Sequence, residues 1–445
     1  MDELLRQDLN QLELILSRTQ QFSVEYLEGI NSRRVSSSGN GTSLPALPAT
    51  GFGAMESMNV FEKQFYPNIL ASSGPRYWGF VTGGTTPAAI AGDWLSTVFD
   101  QNTQSANGNG DSSALLEMHT AEMLLDLFSL PQEFIGAFVS GATMSNFTGL
   151  AVARQWVGQQ KGIDIARDGM KSSVNVIAAV PHSSAIKALA MLGVGSNNII
   201  LVPTIVDREA IDLAKLEACM ETMAGEPFIL ISSAGTVNTV DFDDLNQISF
   251  LKQRYNFWWH IDAAFGGFAA CSPAHQHLLA GWESADSITV DFHKWLNVPY
   301  DSAIIFTRKQ HAVLQVQTFQ NSNAPYLGDP MQNFNYLNYV PENSRRFRAL
   351  PAWFTLMAYG KKGYQTIVEK NIHLARVLGQ QLEASEKFIL VSPVRLNTVC
   401  FTTKEPHNRS SMIETILGQL RIEGKLFVTP TSYQGISCIR AALVN

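Results

Sequence analysis

The chain has 445 residues, of which 45% are hydrophobic and 16% charged, so it can form a large core, and we expect two or three domains, or one large and one small. The net charge of −7 and the lack of a basic block argue against nucleic acid as a partner. No run approaches the ~18 apolar residues of a membrane span. We therefore expect no membrane partner. Four scattered cysteines without a CxxC motif indicate reduced thiols, so we expect a cytoplasmic protein.

The first ~25 residues are predicted to form an amphipathic helix, because leucines recur there at helical spacing. These are Leu5, Leu9, Leu12 and Leu16. Such a helix cannot bury its apolar stripe alone, so it should pack on a partner subunit or on the main body. Residues Val35 to Gly53 are rich in Ser, Gly, Pro and Thr, which is typical of a linker. We therefore expect residues 1–75 to be a helix and linker segment that packs on a dimer partner.

The stretch from Gly74 to Leu95 begins with aromatic and glycine residues and becomes helical from about Pro87. One interpretation is a buried loop. The other is the wall of a pocket, where aromatic rings and glycines let a ligand approach the backbone.

From Phe134 onward, short apolar runs alternate with helical segments, which predicts an α/β fold with a mainly parallel seven-stranded sheet covered on both faces. The predicted strands are Phe134–Val139, Val174–Val180, Ile199–Val202, Phe228–Ser232, Phe257–Ile261, Ser287–Val290 and Ala303–Phe306. From Arg345 the pattern is helical and then has short strands near 388–391, 398–402 and 437–442. This predicts a large domain over 76–344 and a small α+β domain over 345–445.

Polar residues follow several of these strands, at the edge where ligands bind in parallel sheets. The segment from Ser140 to Asn146, SGATMSN, combines a glycine turn, a helix N-terminus and a threonine hydroxyl, which can seat an anion. Asp262 follows an apolar strand and is either a helix cap or the partner of a protonated ring nitrogen. His182 is either structural or stacks on an aromatic ring. No His, Cys and carboxylate cluster has the spacing of a metal site.

Lys294 lies in the segment DFHKW, between an apolar strand and Trp295. Most lysines face solvent, but one in this setting is partly desolvated, which favours an amine nucleophile that can form a Schiff base. An anion seat, a stacking histidine, a buried aspartate and such a lysine together fit pyridoxal 5'-phosphate (PLP).

The order SGATMSN, HSSAIKAL, GTVNT, HIDAAFGG and DFHKW resembles the group II PLP-dependent amino acid decarboxylases, which include the aromatic amino acid, glutamate and diaminobutyrate enzymes. The resemblance covers the chain from about Arg34 to the C-terminus. It implies a type I aminotransferase-like fold, an amino acid substrate, and a homodimer with its sites at the subunit interface. It also implies that Lys294 forms the Schiff base, that Asp262 pairs with the pyridine nitrogen and that His182 stacks on the ring.

The remaining cofactor contacts implied by the resemblance are Ala142 and Thr143 at the phosphate, His293 nearby, and Thr236 beside the ring. The stretch from Tyr77 to Pro87 resembles the substrate-pocket segment of the family. The resemblance therefore implies that Tyr77, Thr86 and Pro87 bind the substrate.

Three features depart from the family pattern. Asp291 stands where some members have Asn, and Phe292 stands where Pro or Ala is common. The segment from Phe319 to Ser344 is shorter than the usual mobile loop. It offers three tyrosines as donors of the proton to the substrate carbon, namely Tyr326, Tyr336 and Tyr339.

The expected reaction is decarboxylation of an L-amino acid to its amine, and the aromatic residues Tyr77, Trp78 and Phe80 favour an aromatic substrate. Two alternatives stay open. One is other PLP chemistry, either transamination or oxidative decarboxylation to an aldehyde. The other is a non-catalytic relative whose dimer surface is what matters.

Overall fold

The computed structural model describes residues 1–37, 45–106, 111–320 and 334–445. The strands of its larger sheet are β1 Phe134–Val139, β2 Asn175–Ala178, β3 Ile199–Leu201, β4 Phe228–Ser233, β5 Phe257–Asp262, β6 Ser287–Asp291 and β7 Ala303–Arg308. They lie in the order β1-β7-β6-β5-β4-β2-β3. The neighbours from β3 to β6 are parallel, whereas β7 runs antiparallel to both β6 and β1. The predicted mainly parallel seven-stranded sheet is confirmed.

Helices cover both faces of this sheet. The α-helices of the described residues are α1 Glu3–Asn10, α2 Leu12–Gly29, α3 Gly53–Gln64, α4 Pro87–Phe99, α5 Ser113–Leu127, α6 Ala142–Gln160, α7 Ile165–Asp168, α8 Ser183–Met191, α9 Leu213–Thr222, α10 Leu245–Lys252, α11 Ala312–Phe319, α12 Ala349–Ala384 and α13 Arg409–Glu423. Val176 and Trp258 pack into one core with α6 and α8, whereas Ile177 and Trp259 pack into a second core with α5, α10 and α12. Apolar residues at consecutive strand positions are therefore buried on opposite faces, as in parallel sheets generally.

The C-terminal part contains a smaller antiparallel sheet of β8 Phe388–Leu390, β9 Thr398–Thr403, β10 Thr429–Tyr433 and β11 Ile436–Ala442. Its order is β10-β11-β9-β8. We did not predict β10, because its residues TPTSY are mostly polar and include a proline. An edge strand tolerates Pro430, since one side of an edge strand needs no ladder partner. Gln434 and Gly435, both with positive φ, close the tight hairpin to β11.

The N-terminal residues are helical, as predicted, but form two helices rather than one. Asp8 of α1 accepts hydrogen bonds from the amide of Ala54, and Phe22 of α2 packs on Tyr66 with ring centroids 4.4 Å apart. The leucine stripe of these helices stays about half exposed, with Leu9 at 53%. None of the helices in the described ranges has the length and apolar run that a membrane span requires.

Candidate active site

A cavity of about 460 Å³ opens at the carboxyl edge of the large sheet. Four predicted site residues line it, namely His182 after β2, Thr236 after β4, Asp262 at the end of β5 and Lys294 after β6. They meet because these strands are parallel and end at the same edge. A larger cleft of about 640 Å³ lies around Arg208, but no predicted site residue lines it. The candidate active site is therefore the smaller cavity.

Neutral hydrogen-bond donors orient the Asp262 carboxylate. Its Oδ2 accepts from Asn146 Nδ2 at 3.0 Å, and its Oδ1 accepts from the amide of Ala264 at 3.2 Å. A buried carboxylate held by neutral donors remains strongly attractive to a cation in the adjoining cavity.

A buried relay fixes Asn146 in turn. Trp258 Nε1 donates to Ser287 Oγ at 2.9 Å, and Ser287 Oγ lies 2.8 Å from His260 Nδ1. His260 Nε2 lies 2.9 Å from Asn146 Oδ1. The consistent assignment is Trp258 to Ser287 to His260 to Asn146 to Asp262, each donating to the next. It requires a neutral His260, and complete burial lowers the pKa of His260 to about 4.

His182 is neutral and carries its proton on Nε2. Its Nδ1 accepts from the amide of Ser184 at 3.2 Å and lies 2.7 Å from Ser184 Oγ. Burial lowers the pKa of His182, and the positive charges of Lys294 and Arg440 add to that effect, which the Asp262 carboxylate only partly offsets. The imidazole therefore presents an uncharged, flat ring to the cavity, as stacking on an aromatic ligand requires.

The predicted anion seat lies beside the cavity, where α6 begins directly after Gly141. Ala142 and Thr143 form the first turn of this helix. A Cβ built at Gly141 would lie 3.2 Å from His293 Cε1, so the seat is narrow and a side chain there would crowd that ring.

Lys294 lies among acidic and aromatic groups. Its Nζ is 3.5 Å from Asp291 Oδ2 and 5.8 Å from the ring centroid of Phe265. The backbone beside it is tightly packed, because Gly83 donates to the carbonyl of His293 at 3.1 Å and a Cβ at Gly83 would overlap the carbonyl oxygen of Lys294. These contacts fix the lysine segment against residues 80–84.

The three predicted substrate residues do not line this cavity. Tyr77 stacks on Phe427 with centroids 4.5 Å apart, Thr86 caps α4 by accepting from the amide of Ala89, and Pro87 is the first residue of that helix. Their substrate role stays a prediction. Phe80 does line the cavity, is 61% exposed, and has a left-handed backbone with φ of 57°. Such a backbone is costly for an aromatic residue and is typical of functional sites.

Two of the three candidate tyrosines are buried away from the cavity. Tyr336 packs under β1 and β7, where its hydroxyl donates to the carbonyl of Gly136 at 3.3 Å, and burial raises its pKa well above its usual value. Tyr339 stacks on Phe334 in the same cluster. Tyr326 lies outside the described residues.

Two residues that sequence reasoning missed also line the cavity. Arg440 of β11 is buried, and its Nη1 donates to Asn238 Oδ1 at 3.4 Å. Its Nε has no hydrogen-bond partner among the described residues. Glu209 accepts from Thr236 Oγ1 at 2.5 Å and from Thr239 Oγ1 at 2.7 Å. An arginine inside the apolar run SCIRAALV was the available signal, because a charge in a buried strand is costly unless it is paired.

The donor set fits PLP. Asp262 suits a protonated pyridine nitrogen, the neutral His182 suits a ring face, Lys294 suits an aldehyde, and the start of α6 suits a phosphate. Among the described residues, no cluster of three or more His, Cys, Asp or Glu could hold a metal ion.

Residues 56–404 match the model of the pyridoxal-dependent decarboxylase conserved domain, and the chain belongs to that family. It is accordingly a pyridoxal-dependent decarboxylase. The aromatic-L-amino-acid decarboxylase of Catharanthus roseus is 25% identical over 400 residues, which are 87% of this chain and 79% of that protein.

Solved structures share the whole fold. Tryptophan decarboxylase of Catharanthus roseus in complex with L-tryptophan superposes with a TM-score of 0.86 at 22% identity, covering 98% of this chain and 94% of that one. The 4-hydroxyphenylacetaldehyde synthase of Rhodiola rosea has the same TM-score, 0.86, at 19% identity and covers 98% and 94%. The predicted type I aminotransferase-like fold is thereby confirmed.

Proposed function

We propose that this enzyme decarboxylates an L-amino acid with an aromatic side chain, releasing CO₂ and the amine. The observation that carries the proposal is the convergence of Lys294, Asp262 and His182 on one cavity. Phe80 and Phe265 line the same cavity and offer aromatic surface to the substrate side chain. The relatives named as aromatic-L-amino-acid and tryptophan decarboxylases support this choice of substrate.

Each residue has a distinct role. PLP, when bound, supplies an electron-withdrawing ring that stabilises negative charge on the substrate carbon. Lys294 would hold the coenzyme through its aldehyde, and its amine is the chain's candidate nucleophile at that carbon. Asp262 keeps a proton on the ring nitrogen, and His182 supports the ring face. Thr236 supports the ring edge.

Phosphate and substrate anions are held by other groups. The amides of Ala142 and Thr143 hold the phosphate at the start of α6, with His293 nearby. Arg440, buried and with Nε unpaired, offers a guanidinium for a substrate carboxylate. Tyr77, Thr86 and Pro87 are proposed to bind substrate from the adjoining wall.

A second candidate reaction is oxidative decarboxylation, in which dioxygen would accept two electrons as hydrogen peroxide and water would replace the amino group, giving an aldehyde, CO₂ and ammonia. The shared fold of 4-hydroxyphenylacetaldehyde synthase supports it, and so does the burial of Tyr336 and Tyr339 away from the cavity. If neither tyrosine can protonate the substrate carbon, the amine is not formed by that route and the carbon can instead be oxidised to the aldehyde. Transamination would instead return a keto acid.

The functional unit is proposed to be a cytoplasmic homodimer with sites at the interface. The exposed leucines of α1 and α2 support this, because a stripe of that kind usually packs on another surface. We also propose the division into an N-terminal segment 1–75, a large domain 76–344 and a small domain 345–445.

The test is to incubate the purified, PLP-supplemented protein with a panel of aromatic, acidic and basic L-amino acids and to measure CO₂, amine, keto acid and aldehyde. We expect equal amounts of CO₂ and amine from an aromatic substrate. Aldehyde with ammonia would establish the second candidate instead. No product from any amino acid, with an unchanged dimer in Lys294→Ala, would indicate a non-catalytic relative.

A further inference from the structure

We propose that the anion seat at the start of α6 accepts a phosphate group only together with a proton, because Asp291 already places a buried carboxylate in that seat. The proposal rests on the assignment of this seat to the coenzyme phosphate.

Asp291 already uses a backbone amide that the proposed phosphate site would need. It is the last residue of β6 and only 2% exposed. Its Oδ2 accepts from the amide of Ala142 at 3.3 Å, which is the first amide of the 19-residue helix α6. Its Oδ1 is buried and accepts no well-formed hydrogen bond from the described residues, although His293 Nε2 lies 3.1 Å away. A buried carboxylate oxygen without a well-formed hydrogen bond is costly, so Asp291 is in a setting that favours an additional proton near this oxygen.

Few groups are available to offset a second anion. The titratable or charged groups facing Asp291 are His293 and Lys294 on its own segment, Tyr300 on the next loop and His182 at the start of α8. The first turn of α6 has no acidic residue and no side-chain cap, and its Ala142 amide donates to Asp291.

Only His293 among these groups can supply the balancing charge. His182 is neutral, the Tyr300 hydroxyl carries no positive charge, and Lys294 is committed to the coenzyme aldehyde. His293 Nε2 lies 3.1 Å from Asp291 Oδ1, close enough to share a proton with it. His293 also stacks on Tyr300 with centroids 4.2 Å apart, which holds the imidazole in place.

A second anion in the seat makes coenzyme binding depend on pH in one direction. A phosphate monoester carries about −1.5 to −2 charges at pH 7. Two such anions cannot share a buried seat without a cation or proton between them. If binding takes up one proton, the dissociation constant for PLP rises about tenfold per pH unit at alkaline pH. The coenzyme therefore binds more tightly at lower pH.

The experiment compares PLP with pyridoxal, which has the same ring and aldehyde but no phosphate. Dissociation constants are measured by equilibrium dialysis between about pH 6 and pH 9, and calorimetry in two buffers counts the protons taken up. We expect the ratio of the two constants, PLP over pyridoxal, to rise with pH in the native protein. This comparison needs no variant, so it cannot be lost to misfolding.

The matched variants are Asp291→Asn, which removes the charge but keeps the shape, and Asp301→Asn, a nearby carboxylate bonded to Arg348 instead. We expect Asp291→Asn to bind PLP about tenfold or more tightly at the alkaline end and to lose the proton uptake, whereas Asp301→Asn behaves as the native protein does.

Equal pH dependence for PLP and pyridoxal, or unchanged proton uptake in Asp291→Asn, would overturn the proposal and leave the proposed reaction intact. Failure of both the native protein and Asp291→Asn to bind PLP at any pH would overturn the coenzyme assignment as well.

Discussion

At the scale of single residues, the site combines the carboxylate of Asp262 with the guanidinium of Arg440. The Nε of Arg440 has no acceptor among the described residues. Asp262 is fixed by Asn146 and Ala264 and faces the cavity, so its charge is available to a ring nitrogen. Arg440 reaches the same cavity from the small sheet. The two residues act on different parts of the bound molecules, and their variants should therefore fail in different ways.

Asp262→Asn is expected to lower kcat by about 10² to 10³-fold, because a preorganised charge aimed at the reacting system is lost. PLP should still bind, since Lys294 and the start of α6 are unchanged. Steady-state kinetics with coenzyme occupancy measured in parallel checks this. Asp212→Asn, at the cap of α9, is the control and should keep native kcat. Native kcat in Asp262→Asn would contradict the proposed role.

Arg440→Gln is expected to raise KM for the amino acid by about tenfold to a hundredfold, because a charged hydrogen bond to a carboxylate contributes roughly 1.5–3 kcal/mol. The dissociation constant of PLP should stay the same. Arg421→Gln, on the outer helix α13, serves as the control for a lost charge. A loss of PLP binding in Arg440→Gln, with unchanged KM, would assign the guanidinium to the coenzyme instead.

At the scale of elements, β5 carries both Asp262 and His260, and His260 positions the Asn146 side chain that donates to Asp262. His260 lies two residues before Asp262, and its neutral form completes the relay from Trp258 to Asn146. Protonation of His260 would place a donor where the relay needs an acceptor. The protonation state of one residue of β5 therefore affects both the stability of the sheet and the positions of the Asn146 and Asp262 side chains.

Below about pH 6.5 the native protein should lose stability through His260. Its pKa is lowered to about 4 by burial, so the unfolded chain binds the proton first, and stability falls as the pH drops from about 6.5 towards 4. The full effect is about 3 kcal/mol. Asp243, whose pKa burial raises to about 6, acts in the opposite direction over part of this range. The contribution of His260 is measured by denaturant unfolding of the native protein and of His260→Asn over this pH range. It is the pH-dependent part of the difference between their unfolding free energies.

Above about pH 7 the difference in unfolding free energy between the two proteins should stop changing with pH, because His260 is then neutral in both the folded and the unfolded chain. A pH profile of His260→Asn parallel to that of the native protein would show that the histidine is not buried in neutral form.

The apolar pattern of the sequence predicted the strands of the large sheet, but it did not identify Arg440 among the residues that line the cavity. Continuous apolar runs such as Phe228–Ser233 can be satisfied only in a buried strand, so pattern and structure agree. The strand β10 is polar and was missed. Lys294, Asp262 and His182 were found because each polar residue follows an apolar strand. Arg440 was missed, because it reaches the cavity only through tertiary packing.

At the scale of the whole molecule, an exposed leucine stripe on the N-terminal helices predicts assembly with a second copy. Leu9 and Leu16 are half exposed, 53% and 51%, although they recur at helical spacing. Burying such a stripe against a partner stabilises an assembly by the apolar area removed from water.

We expect the native protein to sediment as a dimer at micromolar concentration and the double variant Leu9→Ser, Leu16→Ser to shift toward monomer. Leu47→Ser is the matched control, because Leu47 is 96% exposed outside the stripe. A native protein that sediments as a monomer with full activity would refute both the dimer and a site shared between subunits.

The most direct measurement for the central claim is to reduce the PLP-loaded protein with borohydride, digest it and locate the pyridoxyl group by mass spectrometry. The account predicts a single modified peptide containing DFHKW, with the mass increase on Lys294 and none in Lys294→Ala. Modification spread over surface lysines, or equal labelling of Lys294→Ala, would contradict it.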